Sequence, residues 1–136
     1  MKAIAATRIW DELPVLDDVL ARSVTVLGCT GSIGVNTLDV VAHVRKLHGA
    51  EALPITALTA GENVKLLIEQ ARAMKPKLAV IGNESLLGEL KAGLSGTGIE
   101  AMAGRQAVIA AAARLSDFVM VAIMGAAAIE PALAAI

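Results

Sequence analysis

Three glycines at three-residue intervals, Gly28, Gly31 and Gly34, join a short β-branched run, Val24-Thr-Val-Leu27, to a long amphipathic stretch. Strand, glycine turn and helix in that order fit few folds. Gly28 lets the chain turn sharply off the strand, Gly31 removes the Cβ that would block a pyrophosphate, and Gly34 lets the helix lie close on the strand. The free N–H groups and the positive end of the helix then face an anion. The spacing is G-x-x-G-x-x-G, not the G-x-G-x-x-G of simple dehydrogenases, so the flanking strand and helix carry much of the argument.

From Ser23 onward, short apolar runs alternate with longer helical ones. The strand candidates are Val24–Leu27, Ile55–Thr59, Leu78–Ile81, Gly98–Met102 and Phe118–Ile123; the helix candidates are Ser32–Leu47, Asn63–Met74, Asn83–Ala92, Gly104–Leu115 and Ala126–Ile136. Such alternation predicts an α/β fold, a Rossmann-like doubly wound parallel sheet with helices on both faces. The near-continuous apolar strands suit a sheet covered on both sides. Ser32, Asn63 and Asn83 are the expected helix caps. On the first helix, Leu38, Val41, Ala42 and Arg45 form the stripe against the sheet, with the Arg45 stem at its edge. Gly93-Leu-Ser-Gly-Thr-Gly98 precedes a strand instead of following one and is read as a connection, not a phosphate loop.

The chain divides into an extension, residues 1–22, and a nucleotide-binding domain, residues 23–136. In the extension Leu16, Val19 and Leu20 suit a short amphipathic helix among Asp11, Glu12, Asp17 and Asp18, and Trp10 is a candidate anchor. The last helix begins with Pro131 near its first turn, where the missing N–H costs little. It then runs to Ile136 with no stop signal, which gives the expectation of a piece of a longer protein with exposed apolar surface over Ala126–Ile136. A net charge of −1 with only Trp10 and Phe118 as aromatics gives no reason to expect nucleic acid or an anionic membrane as partner. The most apolar run, Phe118–Ile129, is shorter than the ~18 to 20 residues that span a bilayer. With a single cysteine and no signal sequence, the expectation is a soluble cytoplasmic protein.

In open α/β sheets the ligand crosses the carboxyl ends of the strands. The loop after the first strand offers Thr30, Gly31, Ser32 and Ile33 to phosphates. After the second strand come Gly61, Glu62 and Asn63, where an acid favours a free ribose 2′-hydroxyl and so leans towards NAD, while Asn63 and the helix start can still meet a phosphate. After the fifth come Ala122, Ile123, Met124 and Gly125, small enough for close backbone approach. Cys29, at a helix start that lowers a thiol pKa, reads as a small space-filling residue. His43 and His48 read as solvated, Met120 and Met124 as core filler, and Asp117 as the start of the last strand. No catalytic or metal-binding constellation is visible.

Leu27-Gly-Cys-Thr-Gly-Ser-Ile-Gly-Val-Asn-Thr-Leu-Asp-Val40, Ala57-Leu-Thr-Ala-Gly-Glu-Asn-Val64, Pro76-Lys-Leu-Ala-Val80 and Ala122-Ile-Met-Gly-Ala-Ala-Ala-Ile-Glu-Pro-Ala-Leu-Ala-Ala-Ile136 together resemble the N-terminal domain of the 1-deoxy-D-xylulose 5-phosphate reductoisomerases. The resemblance covers Ser23 to Ile136. It implies NADPH contacts at Thr30–Ile33, Gly61–Asn63 and Ala122–Gly125. It also implies an enzyme of non-mevalonate isoprenoid synthesis, which isomerises and reduces its sugar phosphate with NADPH and a divalent metal, Mg or Mn, as a homodimer. Many members carry a basic residue where this chain has Glu62. The family's metal-binding acids and substrate-phosphate site lie beyond Ile136, so these residues alone are expected to be inactive. Two other readings are kept: a stand-alone NAD(P)-sensing module, and part of a semialdehyde-dehydrogenase-like reductase.

Overall fold

The computed structural model describes residues 16–123 and 129–136. A short helix α1 (Leu16–Leu20) precedes strands β1 (Val24–Leu27), β2 (Ile55–Ala60), β3 (Leu78–Ile81), β4 (Glu100–Ala103) and β5 (Phe118–Val121). Between and after them lie helices α2 (Ser32–His48), α3 (Val64–Met74), α4 (Leu87–Gly93), α5 (Arg105–Ala113) and α6 (Ile129–Ala135), with a 3₁₀ turn at Glu84–Leu86 leading into α4. All neighbouring strands are parallel, in the order β4-β3-β2-β1-β5. The chain winds outward from β1 to β4, and α5 then carries it back to β5 on the other side of β1. That reversal opens a crevice outside the carboxyl ends of β1 and β5.

The sheet is covered on both faces, as the alternating pattern requires. On one face Val24, Val26, Leu58 and Ile81 pack with Leu38 and Val41 of α2, Leu67 and Ala71 of α3 and Leu90 of α4. On the other, Ala57, Leu78 and Val80 meet Ala107 and Ala111 of α5. Every residue of β1, β2 and β3 is buried, whereas burial alternates along β4 and β5. Those two strands are the sheet edges. The helix beside β5, α2, lies over β1 and leaves Phe118 and Met120 46% and 41% exposed. Met120 is therefore surface and not core filler; Met124 lies outside the described residues.

One helix start follows the sequence reading: the Asn63 Oδ1 accepts from the Leu66 N–H at 3.2 Å and caps α3. The Asn83 Oδ1 accepts from the Ser85 N–H at 3.0 Å, but it caps the 3₁₀ turn; α4 itself starts behind Leu86, which makes no side-chain cap bond. Ser32 does not cap α2. Gly31 holds the cap position in an extended conformation, Ser32 is already helical, and no side chain bonds the cap. The glycine turn enters the helix one residue earlier than a serine cap requires, which leaves the first N–H groups of α2 open to an anion.

Arg45 also differs from its expected edge position. Its guanidinium turns inward and donates to the carbonyl oxygens of Ala52 at 2.9 Å, Leu53 at 3.1 Å and Met74 at 2.8 Å. Burial lowers its pKa, yet an arginine stays charged at neutral pH. Ala42, placed in the same stripe by spacing, is exposed. At the amino end of the sheet the Leu53 N–H donates to the Leu20 carbonyl at 2.6 Å, which ties α1 to the entry of β2. Trp10 lies outside the described residues. Pro131 falls in the first turn of α6 and is buried, while Leu133 and Ile136 are exposed; residues 126–128 are not described. Among the described residues no helix is long and apolar enough to cross a membrane.

Candidate functional site

Four adjacent strands leave the sheet through glycine: β1 at Gly28, β2 at Gly61, β3 at Gly82 and β4 at Gly104. The carboxyl edge is thus poor in side chains across most of its width. Gly28 has a φ of +84°, and a Cβ there would come within 2.9 Å of the Ala122 carbonyl group. Gly34 has no room either, because a Cβ would be driven into the Gly28 oxygen and to 2.5 Å from the Cys29 Cα. Gly31 is different. Its backbone is extended, with φ −78° and ψ 172°, and a Cβ would meet nothing closer than the Gly28 oxygen at 3.7 Å. The fold demands Gly28 and Gly34, whereas the absence of a side chain at Gly31 keeps open the space before the α2 N-terminus.

The turn is held from both sides. The N–H groups of Gly28 and Cys29 donate to the Thr59 carbonyl at 2.9 and 2.8 Å, and the Thr59 Oγ1 also accepts from Gly28 at 3.1 Å. From α3, the Gln70 Nε2 donates to the Cys29 carbonyl at 2.8 Å. Sequence reasoning passed over both residues. A threonine at the exit end of β2, next to the glycine turn, was a usable signal for Thr59; Gln70 gave none, since a mid-helix glutamine ordinarily faces water.

After β2, Gly61, Glu62 and Asn63 are all exposed at the same edge. The Gly61 carbonyl accepts from the Asn83 N–H at 3.0 Å, which fixes this loop to the exit of β3. The Asn63 side-chain oxygen is engaged in its cap, leaving its amide N–H groups as donors. Across the crevice, the Ala122 N–H donates to the Leu27 carbonyl at 2.7 Å. Ala122 and Ile123 are half-buried, and Met124 and Gly125 lie outside the described residues. A cavity of about 210 Å³ joins these exits, with Gly28, Thr59, Gly61, Gly82 and Ile123 in its wall. Thr30, Gly31, Ser32, Ile33, Glu62 and Asn63 lie outside that wall, at the same edge.

Arg105, at the start of α5, also lines the cavity and pairs with Glu130 at 2.9 Å; sequence reading did not find it. A larger cavity, about 630 Å³, lies at the opposite end of the sheet beside Arg45, Lys46, Lys75 and Lys77. That end is not where open parallel sheets take their ligands.

Cys29 corrects an expectation. Its place at a helix start predicts a lowered pKa, but burial pushes the thiol up to about 12 and outweighs the backbone hydrogen bond that lowers it. The thiol is protonated and inert. His43 and His48 are exposed on α2. Asp117 bonds Ser23 at the amino end of β5, away from the crevice. Among the described residues no group of three His, Cys, Asp or Glu side chains is placed to hold a metal ion.

A family model described as 1-deoxy-D-xylulose 5-phosphate reductoisomerase matches residues 24–136. A 1-deoxy-D-xylulose 5-phosphate reductoisomerase of Caulobacter vibrioides is 54% identical over 114 residues, which are 84% of this chain and 27% of the relative. Among solved structures, the reductoisomerase from Zymomonas mobilis in complex with NADPH is 43% identical, with a TM-score of 0.78 over 84% of this chain and 29% of that one. A DOX-P reductoisomerase in complex with NADPH, fosmidomycin and magnesium is 28% identical, with a TM-score of 0.70 over 84% of this chain and 27% of that one. The chain spans less than a third of the length of these relatives.

Proposed function

The chain belongs to the 1-deoxy-D-xylulose 5-phosphate reductoisomerase family, and from that premise we propose that residues 23–136 form the NADPH-binding part of such an enzyme. The parent activity is the isomerisation and reduction of 1-deoxy-D-xylulose 5-phosphate to 2-C-methyl-D-erythritol 4-phosphate in non-mevalonate isoprenoid synthesis. One observation carries the cofactor reading. Gly31 is a glycine that neither backbone geometry nor packing requires, set before an uncapped helix N-terminus at the switch point of a doubly wound sheet. The cofactor would be held at Thr30–Ile33, Gly61–Asn63 and Ala122–Gly125, and it would supply the hydride. The protein's part is to position it, with backbone N–H groups towards the pyrophosphate and the small-residue exit of β5 close to the ring that reacts.

The divalent metal of the family does not fit the described residues, because no suitable ligand group is present among them. Isolated as these 136 residues, the chain is expected to bind NADPH weakly and to turn over no deoxyxylulose phosphate. The parent enzyme is read as a cytoplasmic homodimer; the exposed Phe118, Met120 and Leu133 are apolar surface that further protein would cover. Family membership sets aside the semialdehyde-dehydrogenase-like reading.

Glu62 bears on the choice of cofactor. An exposed carboxylate beside the adenosine ribose opposes a 2′-phosphate and accepts a hydrogen bond from a free 2′-hydroxyl. Calorimetric titration of NADPH and NADH against the chain and its Glu62→Arg variant tests the proposal. The substitution is expected to tighten NADPH and to weaken NADH, which loses the carboxylate that accepts from its 2′-hydroxyl. Absence of binding by either cofactor overturns the site.

A further inference from the structure

Gln70 sits at the seventh position of an eleven-residue helix and donates its Nε2 to the Cys29 carbonyl at 2.8 Å, 41 residues back along the chain. Its own Oε1 is buried and has no partner among the described residues. A side chain that leaves half its polar capacity unmet is poorly explained by stability alone, since a buried polar atom without a partner is unfavourable. The carbonyl it holds belongs to the peptide plane between Cys29 and Thr30. That plane is rigid and trans, so its N–H points opposite to its C=O. Fixing the Cys29 oxygen towards α3 therefore fixes the Thr30 N–H in the opposite direction, away from α3. Among the described residues the Thr30 N–H has no backbone acceptor.

We propose that Gln70 is a positioning residue for the dinucleotide: by holding the Cys29 carbonyl it aims the Thr30 N–H at the pyrophosphate. This rests on the cofactor reading given above. The same helix begins at the Asn63 cap, in the loop assigned to the ribose. Seven residues return to the same face of a helix about 10 Å further along. Asn63 and Gln70 therefore make α3 a rigid strut between the ribose loop and the pyrophosphate turn. Gly28 and Cys29 are held separately, by Thr59, so the turn keeps its overall place when the Gln70 contact is lost. What changes is the orientation of one peptide plane.

The test compares ligands with and without the pyrophosphate, using NADP⁺ and adenosine 2′-monophosphate as probes, on the chain and on its Gln70→Met and Gln70→Glu variants. Gln70→Met is expected to weaken NADP⁺ about tenfold, as for one lost hydrogen bond, and to leave the monophosphate within twofold. Gln70→Glu has nearly the same shape but donates only when protonated. Its NADP⁺ affinity, expressed as a ratio to the unsubstituted chain at each pH, is expected to recover as pH falls from 8 to 5. Equal loss for both probes, or a ratio flat with pH, overturns the assignment and reduces Gln70 to a packing role. NADP⁺ binding unchanged in Gln70→Met overturns it while leaving the cofactor site standing. Failure of the unsubstituted chain to bind NADP⁺ overturns the site and the assignment together.

Discussion

Ser23 and Asp117 hold each other reciprocally, 94 residues apart in sequence: the Ser23 N–H donates to the Asp117 Oδ2 at 2.8 Å, and the Asp117 N–H donates to the Ser23 Oγ at 3.0 Å. The pair closes the amino ends of β1 and β5, the two strands whose carboxyl ends border the crevice. The Asp117 and Phe118 N–H groups also donate to the Ser23 carbonyl, at 3.1 and 3.0 Å, in register with the Val24–Phe118 pairing. Asp117→Ala removes the side-chain part of the clamp and leaves the backbone part. Because the site is exposed, water replaces the lost acceptor, and the expected cost is about 1 kcal/mol, a fall in Tm of about 3–5 °C. A loss above about 3 kcal/mol in thermal denaturation would refute so limited a role.

Arg45 is a stronger fixture. Its three carbonyl partners come from the turn before β2 and from the last residue of α3, so one side chain fastens α2, that turn and the end of α3. Arg45→Met keeps most of the stem packing and removes every donor. The expected cost is about 2–3 kcal/mol, since charged hydrogen bonds exceed neutral ones and partly buried acceptors lose their partners. Urea denaturation reads it out as a lower midpoint at unchanged slope. Arg45→Lys restores little, because one ammonium cannot match the fork.

The physics of single elements decides what the sequence made legible. The starts of β1, β2, β3 and β5 and the Asn63 cap follow from local chemistry, so spacing and residue type sufficed, whereas β4 begins at Glu100 and not at Gly98, and Asn83 caps the 3₁₀ turn ahead of α4. The glycine turn was legible for the same reason. Arg45, Thr59 and Gln70 were not, because each acts on a backbone group brought near only by the sheet order. Burial along β4 and β5 depends on which strands become edges, a property of topology and not of any window of sequence. Cys29 shows two local rules in conflict, helix dipole against burial, and only the packed structure tells which is larger.

The three glycines of the turn separate fold from function. At Gly34 a Cβ would enter the backbone of the preceding turn, so Gly34→Ala is expected to cost several kcal/mol or prevent folding. At Gly31 the backbone is one that any residue adopts and the space is open. Gly31→Ala is therefore expected to keep Tm within about 2 °C while weakening NADPH at least tenfold. Thermal denaturation and calorimetry on the same preparations separate the two effects. A Gly31→Ala chain that binds NADPH normally would refute the assignment of that space to the pyrophosphate.

Cys29 predicts how stability depends on alkaline pH. The folded thiol is held protonated to about 12, against an ordinary value of about 9. Above pH 9 the unfolded chain releases this proton and the folded chain does not, so the unfolded state binds fewer protons and stability falls as pH rises. The contribution is complete below pH 9 and declines by about 1.4 kcal/mol per pH unit above it, until the folded thiol itself ionises. Urea denaturation at pH 8, 9, 10 and 11 is expected to give this extra slope in the unsubstituted chain and to lack it in Cys29→Ala. The lysines and arginines are common to both chains, so the difference between the two curves isolates the thiol. Identical pH dependence would mean that Cys29 ionises as freely in the folded protein as in the unfolded one, and that the glycine turn is open to water on the side where the structure buries it.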